Sequence, residues 1–395
     1  MGANPKRVAA VVTEYRRWSH ADVILGKILE GYGHDGRAFP NLQLVSVYVD
    51  QFPANEMSRA LAKQHNFTIY DTIESAVTCG RNAVAVDGVL LIGEHGQYPR
   101  NQRGQIQYPR RRFFEAVTNV FAKHRRAVPV FSDKHLSYNW TDAKWMYDRA
   151  RELRFPLMAG SSIPVTWRRP PLRLERNCDL VEAVQVGYGP FEGYGFHALE
   201  GLQCMAERRR GGETGVRAVT CLQGEEMWRA MDRGVFSREL LDAAIALVPA
   251  HAAGDFRKMT LKNNEAGVFV IEYRDGFKGA VAMLNGWVYE GDGGAFTFAG
   301  RVRGHDRPAA CQFYLQQPDP FGHFAYLLKA IDAMIQTGQA VYPVERTLLT
   351  TGVLDAVMIS KAEKNRRVET PQLEIRYPPT DWGFAIDPVA ATVKR

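Results

Sequence analysis

The chain has 395 residues, 46% of them hydrophobic, enough for two packed domains at about 100 to 200 residues each. Its net charge of +7 is modest for that length, and no helix-turn-helix, finger or aromatic-basic sheet pattern accompanies it, which argues against nucleic acid as a partner. Pro5, Lys6 and Arg7 lead straight into a short strand with no apolar leader, and the longest apolar stretches are broken by Asp242 or Pro249, short of the roughly 18 residues a membrane helix needs. Cys79, Cys178, Cys204, Cys221 and Cys311 form no CxxC pair, so neither a disulfide framework nor a thiolate zinc site is indicated. The expectation is a cytoplasmic protein with buried thiols and no membrane partner.

Arg7–Val12 reads as a buried strand and Ala21–Leu29 as a helix with apolar residues at helical spacing. The eight residues between them, Thr13 to His20, contain no glycine. A dinucleotide-binding turn uses glycines to turn tightly and to let the backbone approach a pyrophosphate. Tyr15 and Trp18 stand about where the second and third would fall, so the fold signal survives and the cofactor signal fails. Leu42–Val49 alternates into a strand ending at Asp50, and a helical stretch follows from Asn55 to Lys63. Val89–Ile92 is a buried strand that runs into Glu94 and His95. Phe113–His124 is helical, Val128–Phe131 a strand, Thr141–Arg154 a helix with Thr141 as its cap, and Leu157–Ala159 a last strand. This alternation predicts an α/β domain over residues 1–165, a Rossmann-like right-handed parallel sheet with ligands at the strand C-terminal edge.

Past the proline-rich segment Pro164–Pro171 the pattern changes. Val181–Gly187, Ala218–Leu222, Val268–Tyr273, Gly279–Leu284 and Ala295–Phe298 read as strands without regular intervening helices, which predicts an α+β domain with a large, mostly antiparallel sheet over 166–370. Phe196–Arg209, Phe321–Gln336 and Val344–Lys361 read as helices. A tail, 371–395, holds Pro378 and Pro379 and reads as irregular.

Three segments, in order and spacing, resemble the Gfo/Idh/MocA family over roughly residues 7 to 370. Val128–Leu136 (VPVFSDKHL) is similar to that family's strand leading into a Glu-Lys-Pro motif. Gly193–Glu200 (GYGFHALE) is similar to its helix opening with a catalytic His, and Tyr342–Val368 to its closing helix and basic exit. The resemblance implies a Rossmann domain followed by a domain whose open sheet often mediates homo-oligomers, and a sugar or polyol oxidoreductase using NAD or NADP. It gives Asp50 the role of the acidic residue for the adenosine ribose. It makes Lys134 the catalytic Lys, here flanked by Asp133 and His135, and His197 the catalytic His, with Gly193 where the family has Asp.

On this fold Glu14, Tyr15, Asp50, Glu94, His95, Asp133, Lys134 and His135 come to one edge, with His197 and Glu200 opposite. Lys134 and His197 preserve acid-base chemistry at a polar carbon, whereas the missing glycines leave the pyrophosphate without a seat. Glu14, Tyr15, Arg16 and Arg17 are the residues of the first turn left to meet a nucleotide. His95, Asp133, His197 and a Glu are nitrogen and oxygen donors suited to a divalent metal, although no closely spaced ligand pair is present. The segment Gln97–Phe114 mixes amides, arginines and aromatics; Tyr98, Arg100 and Tyr108 suit a carbohydrate or sugar acid, and the alternative is a solvated loop or subunit contact. Three functions follow: an oxidoreductase acting on a sugar, polyol or sugar acid with Lys134 and His197 moving the proton; a nicotinamide-independent lyase, epimerase or hydrolase with an acid-base or metal centre at Glu94, His95, Asp133 and His197; or a non-catalytic sugar-binding or assembly relative.

Overall fold

The computed structural model describes residues 4–289, 291, 293–317 and 319–393. The N-terminal half runs β1 (Lys6–Val12), α1 (His20–Glu30), β2 (Leu42–Val49), α2 (Ser58–His65), β3 (Thr68–Tyr70), α3 (Ile73–Thr78), β4 (Gly88–Ile92), α4 (Arg110–His124), β5 (Val130–Asp133), α5 (Trp140–Glu152) and β6 (Leu157–Gly160). Its six strands pair in the order β3-β2-β1-β4-β5-β6, all parallel. The alternation within β1 explains why its residues are nearly all apolar. Val8, Ala10 and Val12 enter the core under α1, while Ala9 and Val11 enter the one under α3, α4 and α5, as a strand covered on both faces requires.

The remainder is β7 (Trp167–Arg169), β8 (Leu180–Gly187), α6 (Tyr194–Ala206), β9 (Val216–Leu222), α7 (Glu225–Asp232), α8 (Arg238–Ile245), α9 (Phe256–Thr260), β10 (Gly267–Tyr273), β11 (Lys278–Met283), β12 (Gly293–Val302), β13 (Ala309–Leu315), α10 (Gly322–Thr337), α11 (Val344–Ala362) and β14 (Val368–Glu369). Its eight strands order as β14-β9-β10-β11-β8-β12-β13-β7; every neighbouring pair is antiparallel except β8 with β11. The architecture is thus the predicted pair, a parallel Rossmann-like sheet followed by a mostly antiparallel one.

The structure departs from the sequence reading in its smaller elements. Helices α7, α8 and α9 interrupt the strands that were read as following one another directly. Helix α6 lies against one face of the second sheet, with Gly201 over Gln185, and α8 lies on the other, where Glu239 meets Arg301 of β12. The cap of α5 is Asn139, whose side chain accepts from the Asp142 amide at 2.8 Å, so Thr141 sits inside the first turn. Helix α10 packs Phe324, Leu327, Leu328 and Ile331 into the core beneath α1, returning the chain to the first sheet. Helix α11 then runs between α5, α6 and β9. The segment after residue 371 is held along the surface by Trp167 Nε1 to the Asp387 carbonyl and Gln316 Nε2 to the Ala390 carbonyl, each 2.6 Å. Among the described residues no helix is long and apolar enough to cross a membrane.

Candidate functional site

Strand β5 delivers Lys134 to the edge of the parallel sheet in a left-handed conformation (φ 61°). Paired backbone bonds to Gly160, both 3.1 Å, hold it there. Such a conformation costs about 1–2 kcal/mol for a non-glycine residue and persists where the surroundings over-determine it. It turns the side chain toward β4, where Lys134 Nζ lies 2.9 Å from Glu94 Oε1. The other Glu94 oxygen lies 2.5 Å from Arg110, and Arg110 NH1 donates to His135 Nε2 at 3.1 Å. All four side chains are buried. Burial by itself would raise the Glu94 carboxyl, but Lys134 and Arg110 hold it well below the usual range. Burial and Arg110 push His135 down, against Glu192, which lies 3.3 Å from the same ring nitrogen and draws it up.

His197, closing the first turn of α6, packs beside the rings of Tyr194 and Phe296. Burial of the ring, and then the charges of Lys134 and His20, push its imidazole well below the ordinary value. Its Nδ1 is sealed from solvent without a hydrogen-bond partner among the described residues. Lys134 and His197 therefore share one electrostatic neighbourhood.

Beside Lys134 and Glu94 opens a cavity of about 210 Å³, lined further by Tyr108, Glu192, Tyr194 and, at its exposed side, Arg100. Burial and Glu94 push the Tyr108 phenol up to about 12, keeping it a neutral donor. The loop carrying Arg100 and Tyr108 is built: Asn101 Oδ1 accepts from the amides of Arg103 and Gln105 at 2.9 and 3.0 Å, and Gln105 reaches the Tyr138 carbonyl at 2.5 Å. Tyr98 supports this wall, its ring edge-on to Tyr108 at 5.6 Å. Glu200, expected here, is elsewhere. It is buried under Gly160, accepting from Thr350 at 2.8 Å and from Thr347 at 3.3 Å, because α11 fills the space between α6 and β6.

The dinucleotide edge differs more sharply from expectation. At the start of α1, where a helix terminus would receive a pyrophosphate, Ser19 caps the Asp22 amide at 3.3 Å and Asp22 accepts from the Trp18 amide at 2.9 Å. Trp18 is itself left-handed (φ 61°), and its indole donates to Asp319 at 3.2 Å. Two buried carboxylates, Asp22 and Asp319, thus crowd this helix start through Trp18. Tyr15 is wholly buried in the core under α1. Arg16 lies 2.5 Å from Glu14 and 3.4 Å from His95 Nδ1, while Arg17 faces Asp319 at 3.7 Å. Asp50, the expected ribose ligand, accepts from Tyr48, Tyr98 and Arg112, each at 2.7 Å. His20 Nδ1 reaches Asp133 Oδ2 at 2.6 Å, its ring edge-on to His95 and Phe324. These residues do not fit a dinucleotide in the family's pose: its phosphates would meet carboxylates, and its ribose an aspartate already saturated.

The metal reading fares no better. Asp133 turns to His20, burial and the charge of His20 push His95 down to about 3, and among the described residues no three His, Cys, Asp or Glu side chains gather to hold an ion. Sequence reasoning also missed Arg110, Glu192, Tyr194 and the bridging role of His20. Arg110 is the first of three consecutive arginines, and only the helix start placed before Phe113 turns it inward.

A parallel Rossmann-like sheet followed by a second, mostly antiparallel sheet is the two-domain fold of the Gfo/Idh/MocA type. Three solved structures share it with this chain. GenD2 from gentamicin A biosynthesis, in complex with NAD, is 14% identical with a TM-score of 0.57, over 93% of this chain and 97% of its own. The scyllo-inositol dehydrogenase of Lactobacillus casei is 12% identical with a TM-score of 0.57, over 93% and 99%. The myo-inositol dehydrogenase of Corynebacterium glutamicum is 13% identical with a TM-score of 0.54, over 92% and 98%. The likeness is one of fold. No protein-family model matches the chain, and no curated protein matches it.

Proposed function

We propose that this chain catalyses proton transfer on a small sugar acid without a dissociable nicotinamide nucleotide. The observation that carries this reading is the buried Lys134–Glu94 pair on a cavity whose neighbouring nucleotide crevice is filled by the chain's own side chains. Glu94 keeps Lys134 oriented, and Arg110 keeps Glu94 ionised. His197, neutral, takes a proton from the carbon beside a carboxylate or carbonyl. Lys134 donates to the oxygen that gains the electron pair. Protonated His197 then returns its proton to carbon, or gives it to the departing β-hydroxyl, which leaves as water. In either case the enol O–H proton goes back to Lys134. Tyr108 and Arg100 suit the hydroxyls and carboxylate of such a substrate.

A second reading, oxidation of the same substrate with NAD or NADP, draws support from the fold and from Lys134 and His197 at positions that serve alcohol oxidation in the family the sequence resembles. Native mass spectrometry of the full chain, followed by incubation with aldonates and uronates in deuterium oxide, separates the two. The expected result is a nucleotide-free protein that exchanges or eliminates at the acidic carbon, and loses this in Lys134→Met. A nicotinamide nucleotide at one per chain, reduced on adding substrate, would sink the first reading and establish the second.

A further inference from the structure

A second cavity, of about 280 Å³, lies away from Lys134, between the start of the second sheet, helices α6 and α11, and residues 380–386 of the C-terminal tail. Its notable wall is Arg168 on β7. This side chain is only 8% exposed, yet among the described residues it meets no carboxylate: NH1 donates to the Leu172 carbonyl at 2.9 Å, NH2 to the Pro164 carbonyl at 3.4 Å, and the guanidinium lies over the Phe384 ring at 4.2 Å. Its Nε is buried without a partner, as are the Tyr342 hydroxyl and the Thr380 hydroxyl on the same cavity.

The other arginines of the cavity are matched. Arg346 makes a two-pronged pair with Glu207 at 2.5 and 2.8 Å, and Arg208 meets Asp381 at 3.2 Å. A buried guanidinium without a counter-charge is costly, and here it borders an empty volume with two further unused hydroxyls. Trp382 and Ile386 supply apolar surface at the open side.

We infer that this cavity is a binding site for a small organic carboxylate with an apolar body, its charge taken by Arg168 and its body covered by Trp382 and Phe384 of the tail. The Arg168 guanidinium lines the cavity and meets carbonyls but no carboxylate among the described residues, so it carries the charge that such an anion requires. Trp382, Phe384 and Ile386 on the same cavity favour an anion that carries an apolar body over an inorganic one such as phosphate. The site stands independently of the proton-transfer centre and of any function assigned to it.

The probe is benzoate, with benzyl alcohol and inorganic phosphate as comparisons, titrated calorimetrically into the full chain. Saturable one-to-one binding of benzoate is expected, with none by benzyl alcohol and binding by phosphate at least about tenfold weaker. Arg168→Gln should weaken benzoate at least about tenfold. Trp382→Ala, an exposed change that the fold tolerates, should weaken it severalfold, whereas Lys134→Met should leave it unaltered. Failure of benzoate to saturate, equal binding of benzyl alcohol, or unchanged affinity in Trp382→Ala would each overturn the assignment. Loss in Lys134→Met would do so as well, by placing the probe in the other cavity.

Discussion

His20 Nδ1 and Asp133 Oδ2, 2.6 Å apart, join the first residue of α1 to the last residue of β5 across the edge where this fold binds dinucleotides. In the sheet β4 alone lies between β1 and β5, so the contact reaches over the end of β4 and ties the two sides of the crevice together.

Removing this tie should cost stability. His20→Ala leaves Asp133, 1% exposed and with Oδ1 already unpartnered, without its remaining side-chain partner, a penalty of about 1–3 kcal/mol. Urea unfolding measures it; a midpoint equal to that of the parent would mean that the bond contributes nothing.

Glu94→Gln should be more damaging, since Lys134 and Arg110 then share a buried site without a counter-charge. Breaking a buried pair in this way costs about 3–5 kcal/mol. The pH dependence has a definite sign. Because the folded carboxyl lies well below its ordinary value, its stabilisation is present above the unfolded value of about 4.3 and is lost as pH falls through the folded one. The acid limb of the stability profile should therefore flatten in Glu94→Gln, and a parallel profile would contradict the pairing.

At Lys134 stability and activity should separate. Lys134→Gly relieves the left-handed backbone (φ 61°) and should be more stable than Lys134→Met by about 1 kcal/mol. Both should lose at least about 100-fold in turnover. Thermal melts and assays of the two variants side by side test this, and activity retained in either would remove Lys134 from the chemistry.

Glu200 supplies a pH signature from outside the cleft. Burial pushes its carboxyl up to about 6, so the folded state holds this proton more tightly than the unfolded one. Stability from this group is full below about 4.5 and declines as pH rises to about 6, by about 2 kcal/mol in all. Glu200→Gln should abolish that decline in denaturant melts across the interval, and an unchanged slope would show that Glu200 is not its source.

Asp50 should act on the loop and not on a nucleotide. Asp50→Ala releases Tyr48, Tyr98 and Arg112 together, so cleavage within 97–108 under limited proteolysis should accelerate and KM should rise with kcat little changed. Equal cleavage rates would show that the loop stands without it.

The two sheets were legible because their patterns are strong. β1 and β4 are runs of apolar residues that only a doubly covered strand accommodates, β2 alternates, and the missing glycines stood in plain view. The short β3 and β14, with three and two residues, carry too little pattern to be read. Helix α10 was read correctly as a helix, but its apolar stripe does not state which sheet it covers. Glu200 was misplaced for a similar reason: a Glu one turn after His197 faces the cleft or the interior according to where α11 lies.

The sequence by itself determined the two-sheet, two-domain architecture, the loss of the phosphate turn, and the placing of Lys134 and Glu94 at one strand edge, because periodicity and the succession of elements along the chain are local properties. The tertiary structure alone decided which charges meet. Arg110 finds Glu94 16 residues away and His20 finds Asp133 113 residues away, and Asp319, 301 residues from Trp18, comes over the first turn. Burial then makes each meeting consequential, since a charge removed from water must be paired or held neutral, and no local pattern specifies the partner.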